Sequence, residues 1–132
     1  MSFITLKSRW FLVIVAMMAA LPAFAIDTYT PGIHAMSSFF HESDNHILIT
    51  ISTYLIGFSL GMLIWGPLSD ILGRKKVITI GLTLYVIATI SSSFCIHLNS
   101  LAALRFFQAF GDSAGVGVAF TMLRDSYSGQ EL

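Results

Sequence analysis

Three polar side chains share one face of an otherwise apolar stretch late in the sequence. Arg105, Gln108 and Asp112 are spaced by three and four residues, so in a helix they lie on the same side. An arginine inside a membrane helix costs a few kcal/mol or more, and is therefore rarely without a function. It is expected to face the interior of a helix bundle or water. The alternative is that Arg105, which lies four residues inside the run, extends to the membrane surface.

Asp112 is the acidic member of this group. A carboxylate within the membrane, on the same face as Arg105, is a candidate proton site. It could equally neutralise Arg105 in a static network through Gln108 or water. The spacing alone leaves these two interpretations open.

Four long apolar runs must position these side chains. About 20 residues at 1.5 Å rise cross a hydrocarbon core of roughly 30 Å, and in lipid the backbone must satisfy its own hydrogen bonds. The prediction is an all-α integral membrane protein with four transmembrane helices. The predicted spans are residues 10–29, 47–68, 77–96 and 101–123.

The composition agrees with a membrane protein and leaves no soluble domain. Of 132 residues, 55% are apolar and 11% are charged, whereas a soluble domain carries roughly 25% charged residues. No nucleophile–base set, metal cluster or phosphate-binding loop is present, so the chain is not expected to be an enzyme. Cys95 is the single cysteine and excludes an internal disulfide. His34, His41 and His46 fit no metal site and indicate a solvated loop.

The basic residues predict the orientation of the chain. Lysine and arginine concentrate in cytoplasmic loops. Both termini and the connection at residues 69–76 are therefore predicted inside, and the segment Thr30–His46 outside. The basic residues concerned are Lys7, Arg9, Arg74, Lys75, Lys76 and Arg124.

The N-terminus allows a second interpretation. Lys7 and Arg9, followed by apolar Phe11–Ala20 and the small residues of Ala23–Ala25, are typical of a cleavable signal peptide. Both interpretations place the chain from Ile26 onward outside. A retained helix is favoured because the segment from Asp27 to Gly32 is typical of the end of a first span.

The polar segment from Gly66 to Lys76, between the second and third runs, is the most specific motif. Its short length makes the two flanking helices antiparallel neighbours, and Gly73 is predicted to have a positive φ. The pattern Gly-x-Leu-x-Asp-x-x-Gly-Arg-Lys-Lys resembles the signature loop between the second and third spans of the major facilitator superfamily. A plain cytoplasmic loop would explain the bases but not the spacing of Gly66, Leu68, Asp70 and Gly73.

The resemblance implies a conformational role for this loop. In the superfamily this loop holds the two halves of the transporter together on the cytoplasmic side. Asp70 is expected to make the critical contact, and the other members of the conformational loop are Gly66, Gly73, Arg74 and Lys75.

Two further segments make the chain similar to the Bcr/CflA-type drug-resistance branch, whose members are drug:H+ antiporters. They are Asp-x-Tyr-x-Pro, which begins at Asp27, and Arg-Asp-Ser-Tyr at residues 124–127. The resemblance implies that Asp27 lines the transport cavity and binds a proton or cation; the alternative is an ordinary interfacial aspartate. The segment Leu104–Gly111 is similar to the antiporter motif Arg-x-x-Gln-Gly, with Ala109 replacing the usual glycine. This similarity implicates Arg105 in proton transfer.

The resulting functional prediction is proton-coupled efflux of drugs or small molecules across the inner membrane. The expected partners are a drug-like substrate and the lipid bilayer, with no nucleic acid and no cofactor; the coupling ion is expected to be H+. In full-length members of the family, the two halves of the transporter rock around a central site. Protonation of an acid then releases a substrate that is often cationic.

The resemblance covers only the first four of twelve spans. Residues 1–132 are therefore expected to form part of the N-terminal half, to need the missing C-terminal spans, and to be inactive alone. Two alternatives remain. One is a small self-sufficient four-span exporter acting as a dimer, and the other is a non-transporting membrane subunit with a cleaved signal peptide.

Overall fold

The computed structural model describes residues 9–127, and this part of the chain is helical apart from short connections. The predicted all-α architecture is confirmed. Lys7 and residues 128–132, which entered the orientation and chain-end predictions, lie outside the described residues. The helices are α1 (Arg9–Tyr29), α2 (Ile33–Phe40), α3 (Asp44–Leu72), α4 (Arg74–Ser92) and α5 (Leu98–Tyr127).

The chain remains helical beyond Tyr29, where the first span was predicted to end. A 3₁₀ turn at Thr30–Gly32 leads directly from α1 into α2. Pro31 is tolerated there because the first turn of a helix needs no proline N–H. The connection to α3 is reduced to a few residues around His41, which has a left-handed conformation with φ 55°.

The connection between α3 and α4 is a single residue outside the helices. Gly73 has φ 88° and ψ 138°, which confirms the predicted positive φ. Its N–H donates to the carbonyl of Ser69 at 3.1 Å and closes the last turn of α3. The connection predicted at residues 69–76 is therefore reduced to Gly73, and the chain is helical on both sides of it.

Helix α5 is the centre of the bundle. Every residue from 111 to 119 is buried, and the helix packs against α1, α3 and α4. The Trp65 indole N–H of α3 donates to the Phe110 carbonyl at 2.7 Å, and the two rings lie 5.3 Å apart. Next to this contact, Trp65 packs in a core with Val77, Ala114 and Val118.

Three stretches of the described residues are long and apolar enough to cross a membrane: Leu12–Phe40, Asp44–Leu72 and Arg74–Ser92. Helix α5, predicted as the fourth span, is equally long but is not among them. It carries Arg105, Asp112 and many small residues. Much of its surface contacts the other helices rather than lipid, so packing and not apolarity determines its composition.

Small residues allow α4 and α5 to come into backbone contact. A Cβ on Gly81 would lie 2.7 Å from the carbonyl oxygen of Gly111 and would collide with the side chain of Ala114. Such an approach is the contact that small residues permit between membrane helices. By contrast, a Cβ on Gly66 would meet no atom within 4 Å.

The same substitution at these two glycines should have opposite effects on stability. Gly81→Ala is expected to destabilise the bundle by about 1–3 kcal/mol, because α4 and α5 must separate. Gly66→Ala should be neutral, or stabilising by about 0.5–1 kcal/mol, since it only lowers the entropy cost of helix formation. Thermal unfolding of both variants in detergent measures the difference. Equal unfolding temperatures would contradict the close packing of α4 on α5.

Candidate functional site

Arg105 lies in the second turn of α5 and points towards α1. Its guanidinium carbon is 3.8 Å from the centroid of the Tyr29 ring. A cation over an aromatic face at this distance is attracted by the ring quadrupole, by about 2 kcal/mol when both groups are removed from water. The arginine is therefore fixed inside the bundle rather than extended to the membrane surface.

Gln108 connects Arg105 to α4. An Arg105 N–H donates to the Gln108 side-chain oxygen at 3.2 Å, as the spacing of three residues predicts. The Gln108 amide nitrogen then donates to the Thr89 hydroxyl at 3.0 Å, and that hydroxyl donates to the Tyr85 carbonyl at 2.7 Å. Both polar ends of Gln108 are satisfied, although the side chain is only 6% exposed.

Tyr29 connects the same network to α3. Its hydroxyl lies 2.6 Å from the Thr50 hydroxyl, which donates to the Ile47 carbonyl at 2.6 Å. Because the Thr50 proton is used in that bond, Tyr29 is the donor to Thr50. One chain of polar contacts thus runs from α3 through α1 and α5 to α4.

A cavity of about 420 Å³ lies beside this network, between α1, α4 and α5. Such a volume is within the range of small-molecule sites. Its walls are apolar or aromatic on the α1 and α2 side, at Leu21, Phe24 and Met36, and polar at Arg105 and Gln108. A smaller void of about 10 Å³, enough for one water molecule, adjoins Arg105 on the α3 side.

Asp112 is buried on the Arg105 side of α5 but makes a different contact. The Tyr54 hydroxyl of α3 donates to an Asp112 carboxylate oxygen at 2.7 Å. Gln108 donates to Thr89 and not to Asp112, so no direct hydrogen-bonded chain joins Asp112 to Arg105. Asp112 is 6% exposed, and Tyr54 is the hydrogen-bond partner of its carboxylate within the bundle.

Asp27 is separated from these groups. Its side chain is exposed. The cavity is lined by the following residues, Thr28 and Tyr29, and Asp27 lies off that face of α1. The residue of the Asp-x-Tyr-x-Pro sequence that contacts Arg105 is therefore the tyrosine. Tyr29 belongs to that motif, but the motif alone does not predict a contact between Tyr29 and Arg105.

The α3–α4 connection is held to α5 by an ion pair. An Arg74 guanidinium nitrogen contacts a carboxylate oxygen of Asp125, near the end of α5. Asp70 and Lys75 are exposed at the same end of the bundle. Asp125 belongs to the Arg-Asp-Ser-Tyr motif at residues 124–127, and the motif alone does not predict this ion pair.

Two histidine–carboxylate pairs lie at the opposite end of the bundle. His46 contacts Glu42 at 2.6 Å, and His34 lies 3.5 Å from Asp44. Among residues 9–127, no group of three or more potential ligands could hold a metal ion.

The fold and the site define a multi-pass helical membrane protein with a charged network beside an open cavity between α1, α4 and α5. Residues 9–132 match the sequence profile of the Major Facilitator Superfamily. The chain belongs to this superfamily, as the α3–α4 motif predicted. Because the superfamily consists of transporters, the prediction that the chain is not an enzyme is also confirmed.

Several relatives are named for transport or drug resistance. An uncharacterized transporter of Rickettsia bellii is 43% identical over 104 residues, which are 79% of this chain and 26% of that protein. A chloramphenicol resistance protein of Pseudomonas aeruginosa is 34% identical over 84% of this chain and 26% of its own length. A bicyclomycin resistance protein homolog of Haemophilus influenzae is 28% identical over 92% of this chain and 31% of its own length.

These names agree with the drug-resistance branch suggested by the sequence motifs. The chain spans between a quarter and a third of the length of these relatives. No solved structure gives a significant match to the chain.

Proposed function

We propose that this chain is the first part of a transporter that exports drug-like small molecules across a bacterial inner membrane in exchange for protons. The observation that carries the proposal is the Arg105 network, in which a charged group is fixed by Tyr29 and Gln108 at the wall of a cavity. An intramembrane charge held in this way is typical of substrate and proton pathways.

Each polar residue has a role in this proposal. Arg105 and Gln108 hold the wall of the cavity and couple it to α4, while the Asp112 carboxylate receives the proton. Protonation removes the negative charge to which Tyr54 donates, and so weakens a charge-assisted contact between α3 and α5. A change in the relative stability of two arrangements of these helices would follow. Asp27 is a second acid, which we propose acts where the missing spans complete the cavity.

The substrate is proposed from the cavity and from the names of the relatives together. Efflux can be tested by replacing the matched segment of the Rickettsia bellii transporter with this chain, and expressing the chimera in an efflux-deficient bacterium. The chimera is expected to lower the cellular accumulation of chloramphenicol. A protonophore should restore the accumulation to the level of cells without the chimera. A chimera that reaches the membrane but changes accumulation of no drug would contradict the proposal.

The 132 residues alone are proposed not to transport, because relatives of this kind are three to four times longer. The chain expressed by itself is the control for the chimera experiment. If it lowers drug accumulation without added spans, the alternative of a self-sufficient four-span exporter is correct instead.

The orientation is proposed from the basic residues, with both termini and the α3–α4 connection cytoplasmic. A reporter active only in the cytoplasm should work when fused after Lys76 or Leu132, and should be silent in the short connection around His41. Activity from a fusion within Ser37–Asp44 would overturn the topology. A periplasmic reporter at the same positions should give the reverse pattern.

The α3–α4 connection is proposed to control conformational switching rather than substrate binding. Asp70 is exposed one turn before Gly73, next to the place where Arg74 is paired with Asp125. It is therefore free to contact the second half of a completed transporter. A carboxylate that meets the N-terminus of a helix in that second half would contribute about 1 kcal/mol, enough to shift a two-state balance several-fold.

Asp70→Asn in the chimera should therefore slow turnover several-fold and leave drug binding at equilibrium nearly unchanged. Transport rates in proteoliposomes and equilibrium dialysis separate the two quantities. Asp44→Asn, at the opposite end of the bundle, is the matched control and should change neither. Lost binding with normal turnover per bound drug would contradict a switching role for Asp70.

A further inference from the structure

The Arg105 network and the Tyr54–Asp112 pair border one small void between α1, α3 and α5. Its volume is about 10 Å³. Arg105 and Tyr29 line it, and so does Tyr54, whose hydroxyl donates to Asp112. An occupant of this void would therefore lie between the two polar groups of the bundle. The remaining lining residues are Ala25, Ile26, Thr50 and Ile51.

The hydroxyl-bearing side chains of this void lie inside the packed helices, where further spans could not pack on them. Thr50 is 0% exposed, Tyr54 is 2% exposed and Tyr29 is 8% exposed. Additional helices pack on accessible surface, and these side chains offer almost none. The larger cavity beside α1 is different, because its wall includes Phe24, which is 67% exposed. Spans that complete the transporter can cover that wall but have no access to the tyrosines of the void.

The polar groups around the void match the bonding of one water molecule. The Tyr54 proton is used in the bond to Asp112, and the Tyr29 proton in its bond across to α3, so both phenolic oxygens offer only acceptors. Arg105 offers donors, since Gln108 takes one of its five N–H groups in the described network. A void of this size holds one water when two to four polar groups bond to it. Water can accept from the arginine while it donates to the phenolic oxygens.

We infer that one water molecule occupies this void and bonds to both the Arg105 guanidinium and the Tyr54 hydroxyl. Tyr54 is then a positioning residue, through which the charge of Arg105 acts on the proton affinity of Asp112. Hydrogen bonds in a chain polarise one another where charge is poorly screened, so the cation at one end changes the bond to the carboxylate at the other. The inference rests on the proposed role of Asp112 as the proton acceptor, and it names what connects this acid to Arg105.

X-ray footprinting of the purified chimera in lipid nanodiscs tests for the water. Irradiation turns a bound water into hydroxyl radicals, which oxidise the aromatic side chain beside it even where bulk water does not enter. Tyr54 should therefore be oxidised faster than Trp65, although both are almost fully buried. Trp65 is the matched control because it packs in an apolar core and indole is the more reactive ring. Equal protection of Tyr54 and Trp65 would overturn the inference. The chimera carries the missing spans, so a void that they fill also counts against it.

The link through Tyr54 is tested by the proton affinity of Asp112 in the chimera, measured as an infrared pH titration of its carboxyl band. The band is assigned by its loss in Asp112→Asn. Arg105→Gln should change this affinity at least about threefold, within the range found for residues of one hydrogen-bond network. In a chimera that also carries Tyr54→Phe, the same change should have little effect, because the hydroxyl that transmits it is gone. An equal effect with and without this hydroxyl would show that Arg105 acts directly through space, and would overturn the role of Tyr54.

Tyr85→Phe is the matched control for the lost hydroxyl. Tyr85 borders the larger cavity and not the void, so this variant should keep the effect of Arg105→Gln. Footprinting uses the unchanged chimera and remains decisive if a variant misfolds. Neither measurement requires transport. An inactive chimera with an oxidised Tyr54 and the expected coupling would contradict only the export proposal, whereas an active chimera with a protected Tyr54 would contradict only this inference.

Discussion

Arg105→Ala in a completed transporter is expected to abolish proton-driven efflux. The substitution removes the cation that lies over Tyr29 and the donor to the Gln108 oxygen, leaving a buried amide oxygen without that bond. An unsatisfied buried acceptor costs about 1–3 kcal/mol, and the lost cation–π contact adds about 1–2 kcal/mol. The wall of the cavity would lose both its charge and its fixed geometry. Drug accumulation in cells that carry the variant chimera measures the effect.

Two further variants define what Arg105 contributes. Arg105→Lys should retain part of the activity, because it keeps the charge but loses the planar hydrogen-bonding fork. Arg124→Ala, in the exposed last turns of α5, is the control and should transport normally. Normal drug resistance in cells with Arg105→Ala would show that Arg105 has a structural role in the bundle and none in proton-driven efflux.

Asp112→Asn is expected to uncouple transport from the proton gradient. An asparagine at this position can still accept the hydrogen bond from Tyr54, so the contact between α3 and α5 is kept. Its amide does not take up a proton in the physiological range, so a pH-driven step at this site is lost. Drug transport into proteoliposomes with and without an imposed pH difference should become equal. The unchanged chimera should remain faster with the gradient.

Asp27→Asn and Asp44→Asn are the comparisons for this experiment. Asp44 pairs with His34 at the end of the bundle far from the α3–α4 connection, so its variant should remain coupled. If Asp27→Asn loses the gradient dependence while Asp112→Asn keeps it, the coupling acid is Asp27 and the role proposed for Asp112 is wrong. The four chimeras must be compared at equal amounts in the membrane.

Several local features could be read from the sequence because they depend on neighbouring residues alone. Arg105 and Gln108 contact each other because residues three apart meet on a helix. Gly73 has a positive φ because an abrupt reversal between two helices requires it. The positions of the helix ends could be predicted less accurately from the sequence. At Pro31, a residue that usually ends a helix is tolerated in the first turn of the next one.

By itself, then, the sequence determined that the chain is helical, that it belongs to a membrane transporter family, and which residues share the polar face of α5. Only the tertiary structure decided their partners: Tyr29 beneath Arg105, Tyr54 on Asp112, and Asp125 on Arg74. Periodicity fixes which side of a helix a residue occupies, but not how two helices are rotated and shifted against each other. Here the packing of small residues of α3 against α5, such as Gly57 on the Phe106 backbone and Gly61 on Ser113, sets that relation. It brings together side chains more than 50 residues apart, such as Tyr54 and Asp112.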